Sequence, residues 1–195
     1  MRHHRGMETL IVKIVLLGGV YHLLFGIFHL LFPFALRWKE TLAKVDRTNR
    51  NLLPVFNLWI AYAILAWSYV SFADPAQIAN TSLGHGICWS IAGIWTFRHM
   101  MQVYYMGFSG SYEFPGSFLG VRRIHALAFV PIFSLGTGLY LVPVLRDDAG
   151  AWAITVAAIA GLLFATWLVR LRLLAGRKKA AVGTAFSELA RTAAG

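Results

Sequence analysis

Five stretches of this chain are apolar for long enough to cross a bilayer. They run over roughly 9–33, 52–73, 83–106, 122–145 and 151–174, and each reaches the length of about 20 residues that spans the hydrocarbon as a helix. Lipid offers no partner to a free backbone N–H or C=O, so each run is predicted to be helical. Composition agrees: 58% of residues are hydrophobic and 13% charged, whereas a soluble domain carries about 25% charged residues. The predicted fold class is all-α, a polytopic transmembrane bundle of five helices in which four form the core and the C-terminal one packs outside. It forms a single domain over 1–175, followed by a basic, mobile tail over 176–195.

The links between spans carry ordinary breakers. ADPAQIANTS, with Asp74-Pro75, joins the second and third runs. GFSGSYEFPGSFLG, with Pro115, is a loop rich in glycine and serine, and RDDAG is a tight link before the last run. The first run is too long for the apolar region of a cleavable signal and lacks a small-x-small site after it. A single cysteine, Cys88, excludes an internal disulfide and a cysteine-rich metal site, and its apolar surroundings mark it as a buried, inert thiol.

A net charge of +10 invites a nucleic-acid reading. The basic residues nevertheless cluster between apolar spans, as topology signals do, and no nucleic-acid-binding motif accompanies them. Of the 18 lysines and arginines, 13 fall on one side: Arg37, Lys39, Lys44, Arg47 and Arg50 in the first loop, Arg122 and Arg123 in the third, and Arg170, Arg172, Arg177, Lys178, Lys179 and Arg191 on the C-terminal side. The positive-inside rule then places the C-terminus in the cytoplasm and the N-terminus outside, in a bacterial inner membrane. The Arg177-Lys178-Lys179 cluster is expected to lie against anionic lipid headgroups.

Polar residues inside the spans are the candidates for function. In VYHLLFGIFHLLF, His22 and His29 are two turns apart and share a stripe with Gly18 and Gly26. Small residues admit close helix approach, so this stripe is expected to face protein. The second span contributes Asn57, the third His85, Arg98, His99 and Gln102, and the fourth His125. At a rise of about 1.5 Å per residue, His29, Asn57, His99, Gln102 and His125 all fall roughly 5–10 Å from the cytoplasmic edge, which predicts a polar layer. His22 is deeper, and His85 stands alone at the far edge. Arg98 has no acid at its depth, so carbonyls, Asn57, water or an anionic ligand must satisfy its donors.

Three uses of such a layer differ in class. Polar side chains in membrane helices commonly serve as interhelical hydrogen-bond glue, which makes the chain a scaffold or an accessory to other membrane subunits. Haem b clamped between helices is the second, with His29 and either His99 or His125 as ligands and Arg98 near a propionate. The third is a transition-metal redox site built from His29, His99 and His125, although no span carries paired histidines at metal-ligand spacing and no carboxylate joins them. The expectation is a membrane subunit or accessory protein that binds a haem-like or anionic ligand through His22, His29, His99, His125, Arg98, Asn57 and Gln102.

RWKETLAKVDRTNRNLLPVFN, followed by TFRHMMQVYY, resembles a group of small uncharacterised bacterial multi-pass membrane proteins. The matching positions are His22, His29, Trp38, Lys39, Leu42, Asn49, Arg50, Arg98 and Gln102, and the likeness covers roughly 20–145. It implies the membrane class and no activity. Within the same stretch TLAKVDRTNRN predicts a short amphipathic turn lying on the membrane, with Asn49-Arg50 capping the second span.

Overall fold

A computed structural model of the chain describes residues 2–107, 110–118, 121–125, 128–146 and 148–193. The chain is predominantly helical. Its long helices are α1 (Arg2–Ala35), α3 (Arg47–Ala73), α5 (Ser82–Met106), α6 (Phe129–Leu145) and α7 (Ala149–Ala193); α2 (Trp38–Thr41) and α4 (Pro75–Asn80) are short links. Three segments are long and apolar enough to cross a membrane: Gly6–Ala35, Arg47–Ala73 and Gly150–Arg177. Helix α6 is apolar but shorter, and α5 has the length but carries Ser82, His85, Ser90, Thr96, Arg98, His99 and Gln102 along it.

The helix ends follow from local chemistry. Helix α1 stops where Arg37 takes a left-handed conformation, φ 48°, a common way of ending a helix. The first loop then forms α2 and a 3-10 turn, Leu42–Lys44. Asp46, rather than the Asn49-Arg50 pair, caps α3. Its carboxylate accepts the Asn49 backbone N–H at 3.0 Å and the Asn49 side-chain amide at 2.6 Å, because the cap position needs an acceptor and Asp supplies two oxygens. Asp74 repeats the device for α4, accepting from the Gln77 N–H at 3.0 Å, with Pro75 in the first turn where its missing N–H costs nothing.

Two expectations need correcting. The predicted helix over 122–145 begins only at Phe129. Ahead of it β1 (Ser111–Phe118) and β2 (Val121–His125) form an antiparallel hairpin, pairing Ser111 with His125, Tyr112 with Ile124, Glu113 with Arg123 and Phe118 with Val121. The ladder is irregular between Glu113 and Phe118, around Pro115, which has no N–H to give. VRRIH places two arginines and a histidine within five residues, a poor start for an apolar span, and the antiparallel ladder satisfies its backbone instead. The tail was expected to leave the helix at 176, yet α7 runs unbroken to Ala193. Ala, Arg, Lys, Leu and Glu dominate that stretch, and their helix propensity carries the helix past Gly176 and Gly183.

Packing is arranged around α1, which lies against α3 along much of its length and also against α6. Helix α5 packs on α6, and α7 rests mainly on α5. Helices α3 and α5 make no extended contact with each other. Glycines set the closest approaches. A Cβ on Gly18 would stand 2.8 Å from the Tyr140 ring, one on Gly26 2.6 Å from Leu65, and one on Gly136 2.9 Å from Trp95. The Gly18/Gly26 stripe therefore does face protein. The core holds Val15, Cys88, Ile91, Trp95, Phe133 and Tyr140, with Cys88 fully buried as expected.

Candidate functional site

His22 is completely enclosed, at 0% exposure, where four helices meet. Trp95 Nε1–H on α5 donates to His22 Nε2 at 2.8 Å, and the Tyr140 hydroxyl on α6 lies 2.9 Å from His22 Nδ1. Ser71 Oγ on α3 is 2.7 Å from that hydroxyl, and itself donates to the Trp67 carbonyl at 2.9 Å. The direction of the whole chain follows. Indole can only donate, so Nε2 holds a lone pair and the neutral ring carries its proton on Nδ1. That N–H donates to Tyr140, Tyr140 donates to Ser71, and Ser71 donates to the Trp67 carbonyl. Nothing is left over at either ring nitrogen, so His22, expected among the ligand-binding residues, is fully committed to helix packing. The aromatic rings of Tyr21, Trp67, Trp95 and Tyr140 wall it in.

His29 is different. Asn57 Nδ2 donates to the His29 backbone carbonyl at 2.9 Å, which fixes the amide orientation and turns Oδ1 toward His29 Nδ1, also 2.9 Å away. Since Oδ1 only accepts, Nδ1 bears the proton and Nε2 carries a bare lone pair. Two members of the expected polar layer thus meet directly, α1 to α3, and leave one imidazole nitrogen for another partner.

That nitrogen belongs to a side chain lining a cavity of about 320 Å³ between α1, α3 and α5. Phe25, Ile64, Trp67, Trp95 and Met101 supply apolar walls, and Arg98 is the one charged residue on the lining. The cavity exists because α3 and α5 stand apart with α1 as the floor. A shallower recess continues along the same gap toward Ser82, Gly86 and Ser90, with Trp67 common to both. Arg98 touches Gln102 Oε1 only at 3.4 Å and lies over the Phe133 ring, Cζ 4.7 Å from its centroid. No carboxylate pairs with it among the described residues. A guanidinium has five N–H donors in a planar fork, so most of Arg98's capacity is unspent.

His99 turns away from that cavity toward α6 and α7, while Gln102 lies one turn beyond Arg98. Both are nearly fully buried, at 3% and 2% exposure, and His99 Nε2 and Gln102 Nε2 are the two buried side-chain polar atoms without a partner among the described residues. Gln102 Oε1 accepts from the Tyr112 hydroxyl of the hairpin and from Arg98. Arg98 can only donate, so the oxygen faces it and the NH₂ group is the orphan. His99 lines a separate cavity of about 250 Å³ between α5, α6 and α7.

The remaining candidates lie elsewhere. His125 is exposed on β2, outside the helices, and His85 Nε2 sits 3.0 Å from the Ala79 carbonyl at the far end. The structure therefore does not gather His29, His99 and His125 into a metal site. Among the described residues no three His, Cys, Asp or Glu side chains lie close enough to hold an ion. The reason is rotational: His99 is one residue from Arg98, about 100° around the helix, and so faces the other cavity. Sequence reasoning missed Trp95, Tyr140 and Ser71, the partners of His22; of these only Trp95 shares the predicted depth of His22, and nothing in the sequence signals the other two.

Compared with known proteins, the chain matches no family model, no curated protein and no solved structure.

Proposed function

We propose that this chain is an integral membrane protein that takes an anionic amphiphile sideways from the bilayer into the α3–α5 groove, its charged end on Arg98 and its apolar body along Trp67, Trp95 and Ile64. The single observation that carries this reading is Arg98: a guanidinium with no acid partner, at one end of an apolar groove kept open by the separation of α3 and α5. A lipid phosphate or carboxylate matches its fork, and the bare Nε2 of His29 can accept from a headgroup hydroxyl beside it.

The wider setting is five membrane spans in a bacterial inner membrane, N-terminus outside, C-terminus cytoplasmic, as the Lys and Arg distribution favours. In that frame the Arg98 end of the groove lies near the cytoplasmic leaflet. The Arg177-Lys178-Lys179 cluster leaves the membrane on α7 against anionic headgroups, and the lipid-facing surface of α7 is where other membrane subunits would pack, the chain acting as their accessory. A haem-like ligand is the second reading, favoured by the bare Nε2 of His29, because metal-bound histidines typically donate their other ring N–H to an oxygen as His29 does to Asn57. His29 is the one histidine on the groove lining, so it alone of the lining residues would supply an imidazole to this ligand.

Native mass spectrometry of detergent-purified protein tests both readings. Wild type is expected to retain one phosphatidylglycerol in preference to phosphatidylcholine, and Arg98→Gln to lose the preference while Arg98→Lys keeps part of it. Equal retention by wild type and Arg98→Gln refutes the amphiphile reading, and a Soret band that vanishes in His29→Ala would replace it with haem.

A further inference from the structure

The cavity on the far side of α5 has its own unmet chemistry, and it is independent of the Arg98 groove. His99 is 97% buried, its Nε2 has no partner among the described residues, and its side chain lines the 250 Å³ space between α5, α6 and α7. The rest of that lining is Ser134, Thr137, Gly138, Leu141, Trp152 and aliphatic residues of α7. The Thr137 hydroxyl already donates to the Phe133 carbonyl at 3.2 Å. No charged side chain lines the space, so an occupant must be uncharged. It must also bring a polar atom to His99, since buried polar groups are almost always hydrogen-bonded. Apart from Ser134 and Thr137 the lining is apolar, so the rest of the occupant must be mainly apolar, and Trp152 is the aromatic residue on the wall. A single water held by His99, Ser134 and Thr137 would leave most of the 250 Å³ space, walled by aliphatic residues and Trp152, unfilled.

We propose that this cavity binds the head ring of a bilayer-dissolved quinone, with His99 Nε2–H donating to a ring carbonyl and the ring packed against Trp152. A quinone is uncharged and flat, carries a carbonyl acceptor on an apolar frame, and reaches the site through lipid along the loosely packed α7. The proposal is one of binding; no electron transfer is implied.

Trp152 makes the site observable. Ubiquinone-1 is titrated into full-length protein in nanodiscs made from quinone-free synthetic lipid, and tryptophan quenching is followed. Wild type is expected to show a saturable component that Trp152→Phe largely removes. His99→Leu should raise the Kd about tenfold, the scale of one lost hydrogen bond. Gly138→Leu should abolish the saturable component by filling the space, since a Cβ at Gly138 meets nothing within 4 Å and the fold can accept it. Arg98→Gln should leave quinone binding unchanged, which separates this site from the lipid groove. Purely linear quenching in wild type, as for a quinone merely dissolved in the bilayer, would overturn the proposal. So would an unchanged Kd in both His99→Leu and Gly138→Leu proteins of wild-type helicity. If His99→Leu fails to fold, Gly138→Leu alone decides.

Discussion

Replacing Tyr140 by Phe tests the directed chain through His22 most sharply. The substitution keeps the ring that packs on Gly18 and His22 and deletes one oxygen. That oxygen accepts from His22 Nδ1–H and donates to Ser71. Interhelical hydrogen bonds in membranes average only about 0.6 kcal/mol and reach about 1.7. The larger scale applies here, because the His22 N–H is left enclosed with no alternative acceptor, and a buried unsatisfied donor costs about 1–3 kcal/mol. We expect a loss of about 2 kcal/mol, roughly a 30-fold shift in the unfolding equilibrium. Ser71→Ala should cost less, and adding it to Tyr140→Phe should cost almost nothing further, since Ser71 then retains only its bond to Trp67 in its own helix. The two residues should therefore show a coupling of about 1 kcal/mol. Reversible unfolding in mixed micelles gives the energies, and ¹⁵N NMR of His22 reads the tautomer, with the proton expected on Nδ1. Strictly additive costs, a Tyr140→Phe loss below about 0.5 kcal/mol, or a proton on Nε2 would refute the assignment.

Three further outcomes are expected. Gly18→Ala should destabilise by about 1–3 kcal/mol through overpacking against Tyr140, whereas Gly86→Ala, where a Cβ meets nothing within 4 Å, should stabilise by about 0.5–1 kcal/mol; the same micelle unfolding assay ranks them. Asn57→Ala should cost about 1 kcal/mol and release His29 from its fixed tautomer, visible as a mixture of protonation sites by ¹⁵N NMR. The bonds from Asn49 hold the Asp46 carboxyl below its ordinary pKa, so the α3 cap is complete above the ordinary range and is lost as pH falls through the lowered value. Hydrogen exchange at Asn49 should accelerate over that acid window in wild type and show no such step in Asp46→Ala.

Much of the helical plan is legible in the residues because lipid leaves the backbone one solution. Residues 6–35, 47–73 and 150–177 follow from length and apolarity alone, and the Gly18/Gly26 stripe announces a protein-facing side. Of the predicted polar layer, the structure joins only some members, and His125 lies outside the helices on β2. His29 and Asn57 meet because they share a predicted depth, and Arg98, Gln102 and Tyr112 form a linked group at one end of α5. Depth, however, says nothing about rotation. His99 and Arg98 are neighbours in sequence and face different cavities, so a site drawn from depth alone merged two. The hairpin escaped because VRRIH has no period-two pattern of its own and runs straight into the 17-residue apolar helix that follows it.

The ring of His22 also determines how this protein can move. It is bonded to α5 and α6 directly and to α3 through Tyr140, so four helices share one point of attachment. Sliding any of them by one residue shifts a bonded atom about 1.5 Å along the axis and about 100° around it, which breaks the chain at that link. Axial slippage is thereby opposed. Asn57–His29 and Ser68–Gly19 tie α3 to α1 at further points, so a wider gap between α3 and α5 calls for a change in the angle of α5 and not in helix register.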